Sequence, residues 1–185
     1  MIIIIGRYLY KKLKDDNMLE KFVFVNPFGV SHGAACDERA RKLADRLIQT
    51  KPQQLVLVPV NVNKHWILTI IEPYKDCVYV MDPLSHRNRD ATWKSVVDTA
   101  MTIFNATKEK NKFKKPPKWE IVKGPIQPDF KQCGFYVMRF MKEIVMACQD
   151  DDSVFVASMF KRREYSMSEI NEVREDWATS AINEL

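Results

Sequence analysis

Residues 55–84 read LVLVPVNVNKHWILTIIEPYKDCVYVMDPL, and the hydrophobic period inside them decides the fold class. Segments 55–60, 66–71 and 77–81 are short, rich in Val, Ile and Tyr, and bounded by proline or polar clusters, which is the pattern of β-strands. The second and third carry apolar residues at odd and even positions alike, so they are expected at the centre of a sheet covered on both faces. Between them, Glu72-Pro73-Tyr74-Lys75 has the length and the early proline of a hairpin turn. In that register Ile71 faces Asp76 and His65 lies directly opposite Asp82, with Cβ atoms about 5 Å apart on one face.

Outward from this stretch the period changes to that of helices. Tyr8, Leu9, Leu13, Met18 and Leu19 sit near helical spacing in residues 7–20, and residues 21–25 then read as a short strand. Residues 37–49 place Ala40, Leu43, Ala44, Leu47 and Ile48 on one stripe with charged residues opposite. On the C-terminal side, residues 90–111 present Trp93, Val96, Val97, Ala100, Met101 and Phe104 as an inner stripe, and residues 119–122 read as a strand. Residues 133–148 are the most apolar helix, and Ser166-x-x-Glu169 has the form of a capping box that opens a last helix to about residue 182. Strands gathered in the middle with helices before and after predict an α+β fold, with a central, mostly antiparallel sheet and helices on both sides.

The chain has 185 residues, of which 46% are hydrophobic and 29% charged, so it is expected to form one domain over residues 1–185 with a core of its own. Disorder, collagen and a bare disulfide scaffold are excluded by that balance. Net charge is +5, a mild basic surplus that allows a nucleic-acid partner without requiring one. The densest basic run is residues 108–118, with six lysines and two prolines, and it reads first as a solvated loop. Cys36, Cys77, Cys133 and Cys148 form no CxxC pair and have no zinc-ligand spacing, which predicts reduced thiols and no metal or organic cofactor. The isoleucines at positions 2–5 are too few for a signal or a membrane span, so a monomer of the nucleus or cytoplasm is expected.

Four side chains carry chemistry. A carboxylate that accepts one ring N–H of His65 fixes the imidazole's tautomer and leaves the other nitrogen to exchange a proton with a nucleophile, and Asp82 can supply it. Cys133 is the candidate nucleophile, because it opens the apolar helix after a proline-containing, poorly periodic stretch, where the helix dipole favours thiolate. Gln127, six residues earlier, can donate its amide to the oxyanion formed when thiolate attacks a carbonyl, with the Cys133 backbone N–H as second donor. Trp66 reads as core or as a channel wall beside His65. Cys77 and Cys148 read as small hydrophobes, and His32 and His86 as structural.

Together, Asn63-Lys64-His65-Trp66-Ile67, Val80-Met81-Asp82-Pro83-Leu84 and the run Gln127 to Val137 (QPDFKQCGFYV) resemble the ubiquitin-like-protein peptidases. These are SUMO-deconjugating cysteine proteases related to adenovirus endopeptidase. The order His, Asp, Gln, Cys matches that family and is opposite to papain-like enzymes, where cysteine comes first. The motifs lie within residues 53–145, and the C-terminal Arg-Glu-Tyr-Ser and Val-Arg-Glu-Asp-Trp segments resemble plant copies associated with transposable elements. The resemblance implies a papain-like α+β arrangement in which His65 is general base, Asp82 its orienting partner, Cys133 nucleophile and Gln127 oxyanion donor. Trp66 would wall the channel for a substrate's Gly-Gly end, and the partner would be SUMO or a relative.

Two departures carry expectations. Phe130-Lys131-Gln132 stands where family members have a glycine and then an acidic residue, which alters the loop before the nucleophile. The family's Trp-Leu-x-Asp type segment is missing ahead of residues that resemble the middle of its first substrate-binding helix, as in a shortened copy. A catalytically silent domain that binds a ubiquitin-like protein or a transposition partner is the alternative reading.

Overall fold

The computed structural model describes residues 2–15, 19–31, 33–84, 91–108, 116–129, 131–150 and 156–182. In chain order the elements are α1 (Ile2–Asp15), β1 (Phe22–Phe24), α2 (Pro27–Val30), α3 (Cys36–Ile48), β2 (Leu55–Val62), β3 (His65–Glu72), β4 (Cys77–Met81), α4 (Ala91–Thr107), β5 (Lys118–Ile121), α5 (Cys133–Asp150), α6 (Val156–Met159) and α7 (Met167–Ile182). His32, His86 and most of the lysine-rich run fall outside the described residues.

The five strands lie in sequence order, β1-β2-β3-β4-β5. β2, β3 and β4 pair antiparallel, whereas β1 runs parallel to β2 and β5 parallel to β4. The sheet is therefore antiparallel through its longest strands, as expected, with a short parallel strand at each edge. The cause is the connections: a short turn reverses the chain, but the stretches holding α2–α3 and α4 carry it back across the sheet, so the strand that follows is parallel.

The alternation along β2 to β4 sorts the core into two layers. Val56, Val58, Val60, Ile67, Ile71 and Val78 pack with Leu43 and Leu47 of α3 and Trp93, Val97 and Phe104 of α4. Leu57, Leu68, Ile70, Tyr79 and Met81 pack on the other face against Leu9 and Leu13 of α1, Val137, Phe140 and Ile144 of α5, and Val173 of α7. A strand buried on both faces needs apolar side chains at every position, which is why residues 66–71 show no polar alternation. The Trp93 indole donates to Thr69 Oγ1 (2.9 Å), so the one hydroxyl in this layer of β3 is satisfied.

Two boundaries differ from expectation. The first helix begins at Ile2 and ends at Asp15, because the isoleucine run is its first turn; Leu19 belongs to a separate 3₁₀ turn. The β3–β4 hairpin pairs Glu72 with Cys77 and Leu68 with Met81, a register shifted by two from the one expected. Pro73–Lys75 form a 3₁₀ turn and Asp76 adopts φ 53° and ψ 37°, so the loop runs one residue later. Asn105 Nδ2 holds Asp76 there by donating to its Oδ1 (2.9 Å). His65 is thus diagonal to Asp82 rather than directly opposite, but a shift of two preserves the face, so the pair survives the correction.

At the C-terminal end the capping box forms as expected. Ser166 donates its N–H and hydroxyl to Glu169 Oε2 (2.9 Å each), and the Glu169 N–H returns to Ser166 Oγ (3.3 Å).

Candidate active site

His65 is the first residue of β3 because the chain reverses in two residues. Asn63 and Lys64 both have positive φ (51° and 67°), and Val62 pairs with His65 across the turn. This is the two-residue hairpin whose twist suits flanking strands, and Asn61 Oδ1 steadies it by accepting from the Lys64 N–H (3.1 Å). Asp82 follows β4 directly. Its Oδ1 accepts from His65 Nε2 (2.7 Å) and from the Leu84 N–H (2.8 Å), and the His65 and Asp82 side chains are only 9% and 6% exposed. A carboxylate accepts only, so Nε2 carries a proton and Nδ1 is left for the sulfur.

Cys133 is the first residue of α5, an 18-residue helix, and is buried. Its sulfur hydrogen-bonds with the His65 ring and with the backbone N–H groups of Trp66 and Gly134. Burial pushes the thiol up, but the His65 hydrogen bond, the two N–H groups and the imidazolium charge outweigh it and hold Cys133 below the ordinary thiol value. Burial likewise disfavours a charged His65, yet the hydrogen bonds to Asp82 and Cys133 and their negative charges raise it to about 9. Both directions favour the imidazolium–thiolate pair over the neutral one.

Gln127 is buried in the loop between β5 and α5, and its N–H donates to the Pro83 carbonyl (2.8 Å), which fastens that loop beside Asp82. Its side-chain Nε2 donates to the Asp129 carbonyl, and its Oε1 is buried without a partner among the described residues. Trp66 is half-buried, packs against the α5 layer and brings its backbone N–H to the sulfur. The fold thus gathers His65, Asp82, Trp66 and Cys133 into one contact group and ties the Gln127 loop to its edge.

In the loop before the nucleophile, where the family's glycine is replaced, Asp129 supplies local hydrogen bonds. Its carboxylate accepts from the Lys131 N–H (2.9 Å) and from Gln132 Nε2 (3.2 Å), and the Lys131 bond above all holds it below the usual carboxylate range. Three parts of the site escaped the sequence reading: the Trp66 N–H, the Asn63–Lys64 turn and the Asp129 turn. An Asn opening a two-residue gap between strands, and an Asp two residues before a free N–H, are the signals that mark the turns. No local signal marks the Trp66 N–H, which is set by where α5 lands.

None of the four cysteines is in a disulfide; Cys148 is buried as expected, Cys77 is half-exposed and Cys36 exposed. Among the described residues no group of three His, Cys, Asp or Glu side chains is placed to hold a metal ion, and no helix is long and apolar enough to cross a membrane.

Comparison with solved structures finds the same fold in several proteins. The Xanthomonas campestris effector protein XopD bound to ubiquitin superposes with a TM-score of 0.66 at 16% identity, covering 96% of this chain and 87% of that one. The C-terminal Ulp1 protease domain in complex with SMT3, the yeast ortholog of SUMO, gives 0.62 at 18% identity, covering 97% and 75%. The Chaetomium thermophilum Ulp1-like SUMO protease catalytic domain gives 0.51 at 15% identity, covering 97% and 68%. No curated protein sequence matches the chain. Residues 2–175 match the family described as the Ulp1 protease family, C-terminal catalytic domain, and the chain belongs to that family.

Proposed function

We propose that this protein is a thiol peptidase or isopeptidase that cleaves after the C-terminal Gly-Gly of a ubiquitin-like protein, SUMO or a relative. The carrying observation is the bridge made by His65 between Asp82 and the buried Cys133 at the start of α5. The Cys133 thiolate attacks the carbonyl carbon of the terminal glycine, and the electron pair of the C=O bond moves to oxygen. One Gln127 amide proton is occupied by the Asp129 carbonyl; the second, with the Cys133 N–H, is left for that oxyanion. His65 then gives its proton to the leaving amine as the C–N bond breaks, and a thioester remains. Water attacks the thioester, His65 takes its proton, and the thiolate is regenerated with release of the carboxylate. Asp82 keeps the ring in the tautomer and plane this exchange needs. Trp66, fixed by its packing, forms the wall along which the Gly-Gly end lies.

Support for the substrate comes from the family and from its solved members, two of which are held in complexes with ubiquitin and with SMT3. The test is labelling with ubiquitin and SUMO carrying a C-terminal electrophile. Wild type is expected to form an adduct with one of them and Cys133→Ser none. Saturable binding of the ubiquitin-like protein without adduct would replace this reading with the silent-binder one, and neither adduct nor binding would remove both.

A further inference from the structure

Behind the pair formed by His65 and Asp82 lies a cavity of about 440 Å³, walled on one side by Asp82, on a second by the end of β5 and the loop after it, including Lys123 and Gly124, and on a third by residues 160–163. Four cations, Lys123, Lys161, Arg162 and Arg163, border it against the single carboxylate of Asp82. That carboxylate is already engaged by the His65 ring and the Leu84 N–H, so it draws little on the surrounding positive charge. Arg162 is held by Glu169, which the capping box anchors in turn. No carboxylate among the described residues pairs with Lys123, Lys161 or Arg163. The two walls that carry the cations are joined by the Ile126 N–H donating to the Arg163 carbonyl (2.7 Å), so the cavity exists before any ligand arrives.

Like charges that no described carboxylate pairs repel one another when brought together around a concave space, and a multiply charged anion relieves that repulsion at all of them at once. Guanidinium forks and ammonium groups arranged in this way match phosphoryl oxygens, and concavity suits a compact ligand better than the broad face of an acidic protein. We propose that this cavity binds the phosphoryl groups of a small polyphosphorylated ligand, at a site separate from the Cys133 nucleophile that shares only its Asp82 wall with the proposed reaction. Neutralisation of Asp82 by the charged His65 ring is what lets an anion lie against that wall without net repulsion.

The experiment is calorimetric titration of the full chain at low salt with inorganic phosphate, pyrophosphate and tripolyphosphate, the series separating a single phosphate from a polyphosphorylated ligand. Tripolyphosphate is expected to saturate one site, to bind at least tenfold more tightly than phosphate, and to move the amide resonances of Lys123, Gly124 and Ile126. The double variant Lys161→Ala, Arg163→Ala is expected to weaken it at least tenfold, while Lys11→Ala, Lys14→Ala on the exposed side of α1 leaves it unchanged. These cavity residues are exposed, and a matching unfolding midpoint confirms that the variant is folded. Absence of saturation in wild type, or equal weakening in both double variants, overturns the proposal. So does an oligonucleotide that binds one site and is not displaced by tripolyphosphate. The readout needs no peptidase activity, so its failure and the failure of the proposed reaction are told apart.

Discussion

At the scale of single residues, the proposed reaction turns on where one proton rests between His65 and Cys133. The raised His65 and the lowered Cys133 favour the imidazole as its holder, so in the proposed reaction His65 begins as an acid and becomes a base when water attacks the thioester. A folded value near 9 against 6.5 unfolded means the charged ring stabilises the fold fully below pH 6.5, and this contribution is lost as pH rises through 9. The expected observation is a His65 ring-proton resonance that titrates with a midpoint of about 9. In Asp82→Ala the midpoint should fall, because burial then opposes the charge with only Cys133 to favour it; a wild-type midpoint at 6.5 would contradict the pair. Catalysis should rise as Cys133 ionises and decline above about pH 9 as the imidazolium is lost. Gln127→Ala should lower kcat by about 10²- to 10³-fold with little change in KM, the signature of a donor used only in the transition state. An unchanged kcat would take Gln127 out of the oxyanion site. Gln127 and Cys133 were legible as chemical types, but the N–H of Trp66 was not, since every residue except proline has one.

At the scale of elements, the tight β2–β3 turn sets where His65 and Trp66 begin. Lys64 holds φ 67°, a conformation that costs an L-residue about 1–2 kcal/mol and glycine nothing. Offset by the greater freedom of unfolded glycine, Lys64→Gly should leave stability unchanged or raise it by up to about 1 kcal/mol, whereas Lys64→Val should lower it by about 1–2 kcal/mol. Urea midpoints of the two variants check this, and a Val variant as stable as wild type would show that the turn is not under this constraint. The strands and α3, α4, α5 and α7 were readable because their periods are written in consecutive residues, as in the stripe from Trp93 to Phe104. The hairpin register was not, because a Pro-Tyr-Lys-Asp loop and a Glu-Pro-Tyr-Lys loop are equally good locally. Asn105, from a helix far along the chain, holds Asp76 in the first of them.

At the scale of the whole molecule, one sheet shared by two helical layers should make the fold unfold as a single cooperative unit. Leu43 on α3 and Ile144 on α5 are fully buried on opposite faces. Truncating either to alanine should cost about 2–5 kcal/mol. Both losses should appear in the same single unfolding transition with unchanged cooperativity. Two separable transitions in either variant would show that the layers fold independently. The same arrangement explains the site's position: α5 belongs to one layer, and the sheet that it crosses presents His65 and Asp82 at the end where Cys133 starts.

The amino-acid sequence alone determined the helical and extended periods, the order His, Asp, Gln, Cys, and the presence of a sulfur, an imidazole, a carboxylate and an amide suited to acyl transfer. These are properties of single side chains and of near neighbours, which a linear text records. The tertiary structure decided the parallel edges of the sheet, the diagonal His65–Asp82 bond, the N–H groups that meet the sulfur and the ring of cations behind Asp82. Each of those joins residues remote in the chain, and their meeting depends on how all the buried volumes pack at once, which no local pattern encodes.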